Sequence, residues 1–179
     1  LWIIYLVLTV AETTMLMFGG MSLYDALTHT FGTLATGGFS PKNTSVGYYN
    51  SAYIDIVITI FMVMAGVNFV LYYRIITGRV GSVLRNPEFK AYIGIFVITS
   101  VAMAVVLFVK EYYPTFRMSL RFASFQSATI LTTTGYVTTD YALWPEAAKI
   151  VLFALMFVGG CSGSTGGSIK VIRIVTLAK

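Results

Sequence analysis

Two short segments rich in threonine and glycine contain residues whose types and order could bind an ion. They are Ala35-Thr36-Gly37-Gly38-Phe39 and Thr132-Thr133-Thr134-Gly135-Tyr136. Glycine permits backbone conformations in which successive carbonyl oxygens turn toward one axis, and threonine adds a hydroxyl oxygen with little bulk. Rows of such oxygens can replace the water shell of a potassium ion. We predict that both segments are ion-filter loops; the alternative is a pair of glycine turns that only reverse the chain.

A third segment, 159–168, has an unusual density of glycine within an apolar run. Its glycines are Gly159, Gly160, Gly163, Gly166 and Gly167. Each glycine in a helix interior costs up to about 1 kcal/mol relative to alanine, and serine and threonine offer the backbone further alternatives. The last helix should therefore open here into an intramembrane loop, which must face a cavity. Because Lys170 and Arg173 follow it, we place this loop on the cytoplasmic side of the filter and predict that it is a gate.

The glycine-rich segment has two alternative interpretations. Its small residues could simply allow close helix packing. A phosphate-binding loop requires a lysine directly after its last glycine, whereas here Gly167 is followed by Ser168 and Ile169, so an ATPase is excluded.

The composition is that of a membrane protein. Of 179 residues, 57% are hydrophobic and 11% are charged, and the mean hydropathy is +0.81; soluble domains carry about 25% charged residues. A soluble enzyme, a disordered chain and a nucleic-acid partner are thereby excluded, and the net charge of +5 is read as membrane-flanking charge. The single Cys161 excludes a disulfide framework. The chain starts at Leu1 within an apolar run, so we expect it to begin inside a helix.

The apolar runs predict the elements that position these loops. Runs 91–109, 52–73 and 1–18 are long enough, or nearly so, to cross a hydrocarbon core of about 30 Å, and the run 146–176 is broken by the glycines. The stretches 22–35 and 115–132 are helical in pattern but too short to cross, and each leads into a filter-like segment. We predict re-entrant pore helices; the alternative is helices lying on the membrane surface.

The order span, short helix, loop, span occurs twice, and Thr36 and Thr134 lie 98 residues apart. Each unit crosses twice, so both have the same orientation. The predicted fold is an all-α membrane protein of two tandem parallel units: residues 1–74, a cytoplasmic loop 75–88, and residues 89–179. The basic residues Arg74, Arg79 and Arg85 place that loop in the cytoplasm.

Together the three segments resemble the potassium-transport subunits of the Trk/Ktr/HKT superfamily, and within it the TrkH-like subunits. Thr133-Thr134-Gly135-Tyr136 also matches the Thr-x-Gly-Tyr core of potassium-channel filters, and Ala35 to Phe39 is a degenerate copy. The resemblance implies four units around one pore, of which this chain resembles the middle two; missing units or a second copy would close the filter. The implied potassium-binding residues are Ala35, Thr36, Gly37, Gly38, Thr133, Thr134, Gly135 and Tyr136.

By the same resemblance, the protein would be a homodimer surrounded by lipid in a bacterial inner membrane, with a cytoplasmic TrkA-like nucleotide-binding regulatory subunit. Potassium is then the transported ligand, and we expect no cofactor and no enzymatic activity, since no catalytic constellation is visible. A secondary transporter that binds a small solute at the broken helix, or a purely structural membrane subunit, remain as alternatives.

Five polar residues within or beside the predicted helices each have more than one possible role. Asp55 is interpreted as a solvated interfacial residue rather than an ion attractor, and Asn68 as a partner of the glycine-rich loop or a packing residue. His29 is interpreted as a packed or hydrogen-bonded side chain rather than a metal ligand. Asp140 could attract cations, with Glu146, or cap a turn.

Overall fold

The computed structural model describes residues 2–177, and its elements are helical apart from one parallel bridge between Val158 and Ile169. Two short 3₁₀ turns lie at 45–49 and 141–143. The α-helices of the described residues are α1 (Trp2–Phe18), α2 (Leu23–Leu34), α3 (Ala52–Ala65), α4 (Phe69–Ile76), α5 (Val80–Leu84), α6 (Pro87–Val109), α7 (Phe116–Leu131), α8 (Glu146–Leu155) and α9 (Val171–Leu177).

Local sequence signals account for where the two short pore helices begin. Ser22 precedes α2 in an extended conformation and its hydroxyl accepts the amide of Asp25. Thr115 does the same for the amide of Met118 at the start of α7. Each side chain satisfies one of the amides that a helix N-terminus leaves unpaired. The predicted helices 22–35 and 115–132 are thereby confirmed.

Helix α6 is long and apolar enough to cross a membrane by itself. Asn86 caps it and Pro87 occupies its first turn, a position that suits proline because no amide hydrogen is needed there. It therefore contains the predicted span 91–109 and starts four residues earlier. The predicted loop 75–88 contains the short helix α5 and the first two residues of α6.

The predicted span 52–73 is formed by two helices with a bend between them rather than by one continuous helix. Helices α3 and α4 meet at an angle of 94° across residues 66–68. Asn68 starts the second piece, since its side-chain oxygen accepts the amide of Val70, and the carbonyl of Gly66 accepts a hydrogen bond from Cys161 instead of a residue in its own helix. The break is thus stabilised by contacts with the glycine-rich loop.

The register of the repeat also differs from the predicted offset of 98. The amide of Gly19 binds Met15 at the end of α1 as that of Lys110 binds Val106 at the end of α6, an offset of 91. The offset becomes 97 at the filter loops. The difference of six residues arises because α7 has 16 residues against 12 in α2, and the connection before α7 is two residues longer.

The two units pack on each other through α3 and α7. A buried ion pair joins these helices, because Arg121 Nε donates to Asp55 Oδ2 at 2.7 Å. On the outside, α1 and α6 expose apolar side chains such as Leu6, Val10 and Ile98, a surface suited to hydrocarbon rather than to water.

Candidate filter loops and gate loop

Both filter-like loops follow the same backbone path. Thr36 and Gly38 have φ of 52° and 67°, and Thr133 and Gly135 have φ of 60° and 90°. A threonine in this left-handed region costs roughly 1–2 kcal/mol, so its recurrence at equivalent positions requires support from the surrounding structure. Thr36 therefore corresponds to Thr133, and not to Thr134 as the predicted offset required.

The C-terminus of each pore helix continues directly into its loop. The amides of Gly37 and Gly38 both donate to the carbonyl of Gly32. In the second unit, the amides of Thr134 and Gly135 both donate to Thr129. The partial negative charge at a helix C-terminus favours a cation nearby. Each loop starts at the C-terminus of its own pore helix, so this charge lies beside the loop.

The two loops approach each other closely. A Cβ on Gly38 would lie 2.0 Å from the carbonyl oxygen of Thr134, so a residue with a side chain does not fit there. Tyr136 is fully buried, and its hydroxyl donates to the carbonyl of His29 at 2.9 Å, and to that of Phe39 at 3.2 Å. Its ring thus fastens the second loop to the first pore helix.

Two glycines outside the predicted motifs make this fit possible. A Cβ on Gly32, within α2, would lie 2.2 Å from the Tyr136 hydroxyl oxygen, and a Cβ on Gly47 would lie 2.8 Å from the carbonyl oxygen of Thr138. The amide of Gly47 also donates to Val137. Sequence analysis missed both positions, although a glycine inside an otherwise helical stretch was a signal for Gly32.

The N-terminal end of α2 contains a compact group of polar side chains. The Tyr49 hydroxyl donates to Asp25 Oδ2 at 2.8 Å, and Lys42 Nζ lies 3.3 Å from the same oxygen. The hydrogen bond from Tyr49, together with the nearby Lys42 ammonium, lowers the pKa of the Asp25 carboxyl. The pKa of Tyr49 is raised, mainly by burial and also by its hydrogen bond to the Asp25 carboxylate. A negative charge is thus held at the N-terminus of the pore helix, where it is favourable.

The glycine-rich loop contacts both filter loops at equivalent atoms. The Thr36 hydroxyl hydrogen is shared between the carbonyl oxygen of Thr165 at 3.1 Å and that of Ala35 at 2.8 Å. The Thr133 hydroxyl accepts the amide of Gly167 at 2.7 Å. These two threonines occupy the same place in the two units, so the loop lies directly against the end of each filter loop.

The glycine-rich loop is also tied to the surrounding helices. The amide of Cys161 donates to Gly66 at 2.8 Å, and the amide of Phe69 donates to Gly163 at 3.3 Å. Glu88 accepts the amide of Ser162, and Lys170 Nζ donates to the carbonyl of Gly166. The loop is therefore an ordered element, and its displacement would require several of these bonds to break together.

The glycines have specific roles within this loop. Gly163 has φ of 71°, and a Cβ there would lie 3.1 Å from the Asn68 side chain. A Cβ on Gly159 would lie 2.1 Å from the carbonyl oxygen of Gly167. The break in the last helix is confirmed, and it extends over residues 156–170.

His29 and Asp140 both form hydrogen bonds with nearby groups. His29 is buried, with Nδ1 2.7 Å from the carbonyl of Asp25 and Nε2 3.0 Å from the Ser40 hydroxyl, which confirms a hydrogen-bonded side chain. Asp140 caps a 3₁₀ turn by accepting the amide of Ala142. Across residues 2–177, no cluster of three or more His, Cys, Asp or Glu side chains could hold a metal ion.

Asp55 differs from its prediction, whereas Asn68 lies where one of its two predicted roles requires. Asp55 is 2% exposed and paired with Arg121, so the prediction of a solvated residue is wrong. Its partner lies 66 residues away in the chain, so no local sequence pattern predicted this pair. Asn68 does lie against Gly163 of the glycine-rich loop, while its side-chain oxygen caps α4.

Comparison with known proteins gives independent evidence. The family model described as TrkH, cation transport protein, matches residues 1–179. The chain is 41% identical over 180 residues to the Trk system potassium uptake protein TrkH of Escherichia coli K12, covering 100% of this chain and 37% of that protein. It is 39% identical over 184 residues to the protein of the same description from Halomonas elongata, again covering 100% of this chain and 37% of the relative.

A solved structure is similar as well. The crystal structure of the potassium transporter TrkH from Vibrio parahaemolyticus superposes with a TM-score of 0.94 at 37% identity, covering 99% of this chain and 38% of that chain. The chain thus spans little more than a third of the length of the relatives it matches.

Proposed function

The chain belongs to the TrkH family of cation transport proteins, and we propose that it supplies two of the units that line a potassium-selective pore. The observation that carries this proposal is the pair of filter loops, which share positive φ angles and helix-end hydrogen bonds at an offset of 97 residues. Two relatives at 41% and 39% identity are described as potassium uptake proteins, which supports potassium as the ion.

In this proposal, backbone carbonyls of the two filter loops replace water around the ion. The residues assigned to this role are Ala35, Thr36, Gly37, Gly38, Thr133, Thr134, Gly135 and Tyr136. The buried side chain of Tyr136 serves a different purpose from its carbonyl, because the ring holds the loop in place. Asp140 and Glu146 would raise the cation concentration at the mouth.

We further assign the gate to the loop 159–168. It lies against Thr36 and Thr133, so an ion leaving the filter toward the cytoplasm would meet it. Opening requires the hydrogen bonds from Thr36 to Thr165, and from Gly167 to Thr133, to be lost. A regulatory partner would act by favouring the state in which they are broken.

The proposal extends to the assembly in which the chain acts. The protein is an integral membrane protein, and we propose that it lies in a bacterial inner membrane as a multi-pass homodimer. Further units would close the filter. The cavity of about 730 Å³ lined by Arg74, Arg79 and Arg85 is a basic surface on the predicted cytoplasmic side, and it fits a docking site for a TrkA-like nucleotide-binding subunit.

Rubidium uptake tests the proposed transport function. The protein is expressed from its complete gene in cells that lack other potassium uptake systems. We expect the wild-type protein to take up rubidium faster than sodium. The Gly135→Ser variant should discriminate less strongly against sodium. Uptake of a small organic solute without dependence on Gly135 would instead support a secondary transporter, and no flux would leave only a structural role.

A paired substitution tests the gate. Gly163→Ala introduces strain at a positive φ, and Gly166→Ala places a Cβ 3.1 Å from the carbonyl oxygen of Thr132. We expect altered resting and activated rubidium flux in the double variant. Gly94→Ala is the control, because nothing lies within 4 Å of its Cβ. Unchanged flux in both states would contradict the gate assignment.

A further inference from the structure

Glu88 is a buried acid at the start of helix α6. It is 6% exposed, and its Oε1 accepts the backbone amide of Ser162 in the glycine-rich loop. The ion pairs within residues 2–177 involve other acids. The contact with the loop is therefore the polar interaction that the structure gives to this carboxyl.

The start of helix α6 does not itself require a buried acid. The side chain of Asn86 already caps the helix by accepting the amide of Phe89. An acid in the first turn is favourable beside a helix N-terminus, but it can have this effect while exposed to water. Burying a carboxylate is costly unless it is hydrogen-bonded, so the burial of Glu88 points to the loop rather than to its own helix.

Ser162 occupies the second position of a tight turn. The amide of Ser164 donates to the carbonyl of Cys161 at 3.2 Å, and Gly163 has φ of 71°, which matches a type II turn over residues 161–164. In such a turn the amide of the second residue has no partner within the turn. The amide of Ser162 therefore needs an acceptor from elsewhere in the fold, and Glu88 supplies it.

The bond from Ser162 to Glu88 differs from the other bonds that hold this loop. The amide of Cys161 donates to the carbonyl of Gly66, which is a neutral acceptor. Lys170 also binds the loop, but it directly follows the loop in the chain and can move with it. Glu88 belongs to a separate helix, and a hydrogen bond to an ionised acceptor is roughly twice as strong as a neutral one.

We propose that Glu88 is a positioning residue that holds the gate loop closed by accepting the amide of Ser162. The inference rests on the proposed gate and adds a residue outside the loop that controls it. Helix α6 packs on α7 and α9, so Glu88 fixes the loop to the frame of the second unit. The bond involves neither filter loop, so its loss should change how often the gate opens rather than which ion passes.

Substitution of Glu88 measures the contribution of this bond. In the complete protein, Glu88→Ala should raise resting rubidium flux by roughly tenfold, the effect expected for one lost hydrogen bond to a charged group. Glu88→Gln should raise it by about threefold, because a neutral amide oxygen accepts the bond more weakly. The ratio of activated to resting flux should fall by the same factors. Lys90→Gln, an exposed change in the same helix, is the control.

A second substitution shows whether Glu88 acts through Ser162. Ser162→Pro removes the amide hydrogen, and proline is common at the second position of a type II turn. In this background, Glu88→Ala should change resting flux by less than about twofold, because the bond is already absent. Ser162→Ala is the matched comparison, since it keeps the amide and Glu88→Ala should retain its full effect there.

The thiol of Cys161 gives a measurement that does not depend on transport. Cys161 is fully buried in the loop, next to Ser162. Its alkylation by N-ethylmaleimide in inside-out vesicles is followed by mass spectrometry of the peptide that contains it. Alkylation should be roughly tenfold faster in Glu88→Ala than in the wild type, and unchanged in Lys90→Gln.

Three results would overturn the inference: an unchanged alkylation rate in Glu88→Ala, an unchanged resting flux, or an equal effect of Glu88→Ala with and without Ser162→Pro. If the wild-type protein takes up no rubidium, the proposed function is refuted instead. The alkylation rates then still test the contact between Glu88 and the loop.

Discussion

The loops that follow the two pore helices have the same backbone conformation, but different contacts hold them in place. In the second unit, Tyr136 is fully buried and bonded to the preceding unit's pore helix. Its counterpart in the first unit, Phe39, is 77% exposed and has no hydroxyl. The comparison shows that the second loop takes its conformation from its own pore helix, and that it is also bonded to the pore helix of the first unit.

The second spans differ in a comparable way. The break between α3 and α4 is three residues long, whereas that between α8 and α9 is fifteen residues long. The shorter break presents the carbonyl of Gly66 to Cys161, and the longer one forms the loop against the filter. One break thus acts as a docking point for the other, which explains why only the second contains many glycines.

The largest effect is expected from comparing the equivalent glycines Gly38 and Gly135. Gly38→Ala should bring rubidium uptake to background, because its Cβ would collide with the Thr134 carbonyl. Gly135→Ala should retain part of the uptake, since its Cβ meets nothing within 4 Å and the cost is backbone strain of about 1–3 kcal/mol. Uptake and membrane yield are measured together, with Gly94→Ala as control, since nothing lies within 4 Å of its Cβ. Equal loss in both variants would contradict this asymmetry.

The ion pair between the units gives the next largest effect. Asp55→Ala should lower the free energy of unfolding by about 3–5 kcal/mol, because Arg121 keeps a charge that is mostly buried and has lost its partner. Thermal unfolding of the detergent-solubilised protein measures it. Asp55→Leu combined with Arg121→Met should recover much of the loss, and Glu146→Gln, in an exposed pair with Lys149, should change little. A small effect of Asp55→Ala would show that the units do not depend on this bridge.

Exchanging the aromatic residues tests the different supports directly. Tyr136→Phe should cost about 1 kcal/mol, the net contribution of a typical hydrogen bond, and should weaken selectivity, whereas Phe39→Tyr should have almost no effect. Stability and rubidium selectivity are the measurements. A substantial effect of Phe39→Tyr would indicate that a further pore helix covers Phe39 in the complete protein.

The smallest effects concern the hydroxyls that face the gate loop. Thr36→Val and Thr133→Val each remove one hydrogen bond to the loop, about 0.5–1.5 kcal/mol, and should raise resting rubidium flux by about 2- to 10-fold. The double variant should show a larger increase than either single change. Thr28→Val is a suitable control, because the Thr28 hydroxyl is exposed and bonds within its own helix. A fall in resting flux would contradict the proposal that these bonds hold the gate closed.

Much of the fold followed from the sequence by itself. The apolar run in α6, the short helices 22–35 and 115–132, and the glycine-rich break all depend on neighbouring residues, so the chain's local chemistry determines them. The existence and order of the two loops that contain threonine and glycine were accessible for the same reason.

Only the tertiary structure decided how these parts meet. The pairing of Asp55 with Arg121, the 94° bend before α4 and the contacts of Thr36 and Thr133 with the gate loop join residues far apart in the chain. Even the register of the repeat needed the structure, since two extra residues in a connection and four in α7 shift the offset from 91 to 97. A local sequence pattern shows which charged and hydrogen-bonding groups a segment carries. Which partner each group binds depends on the distances and the burial that tertiary packing creates.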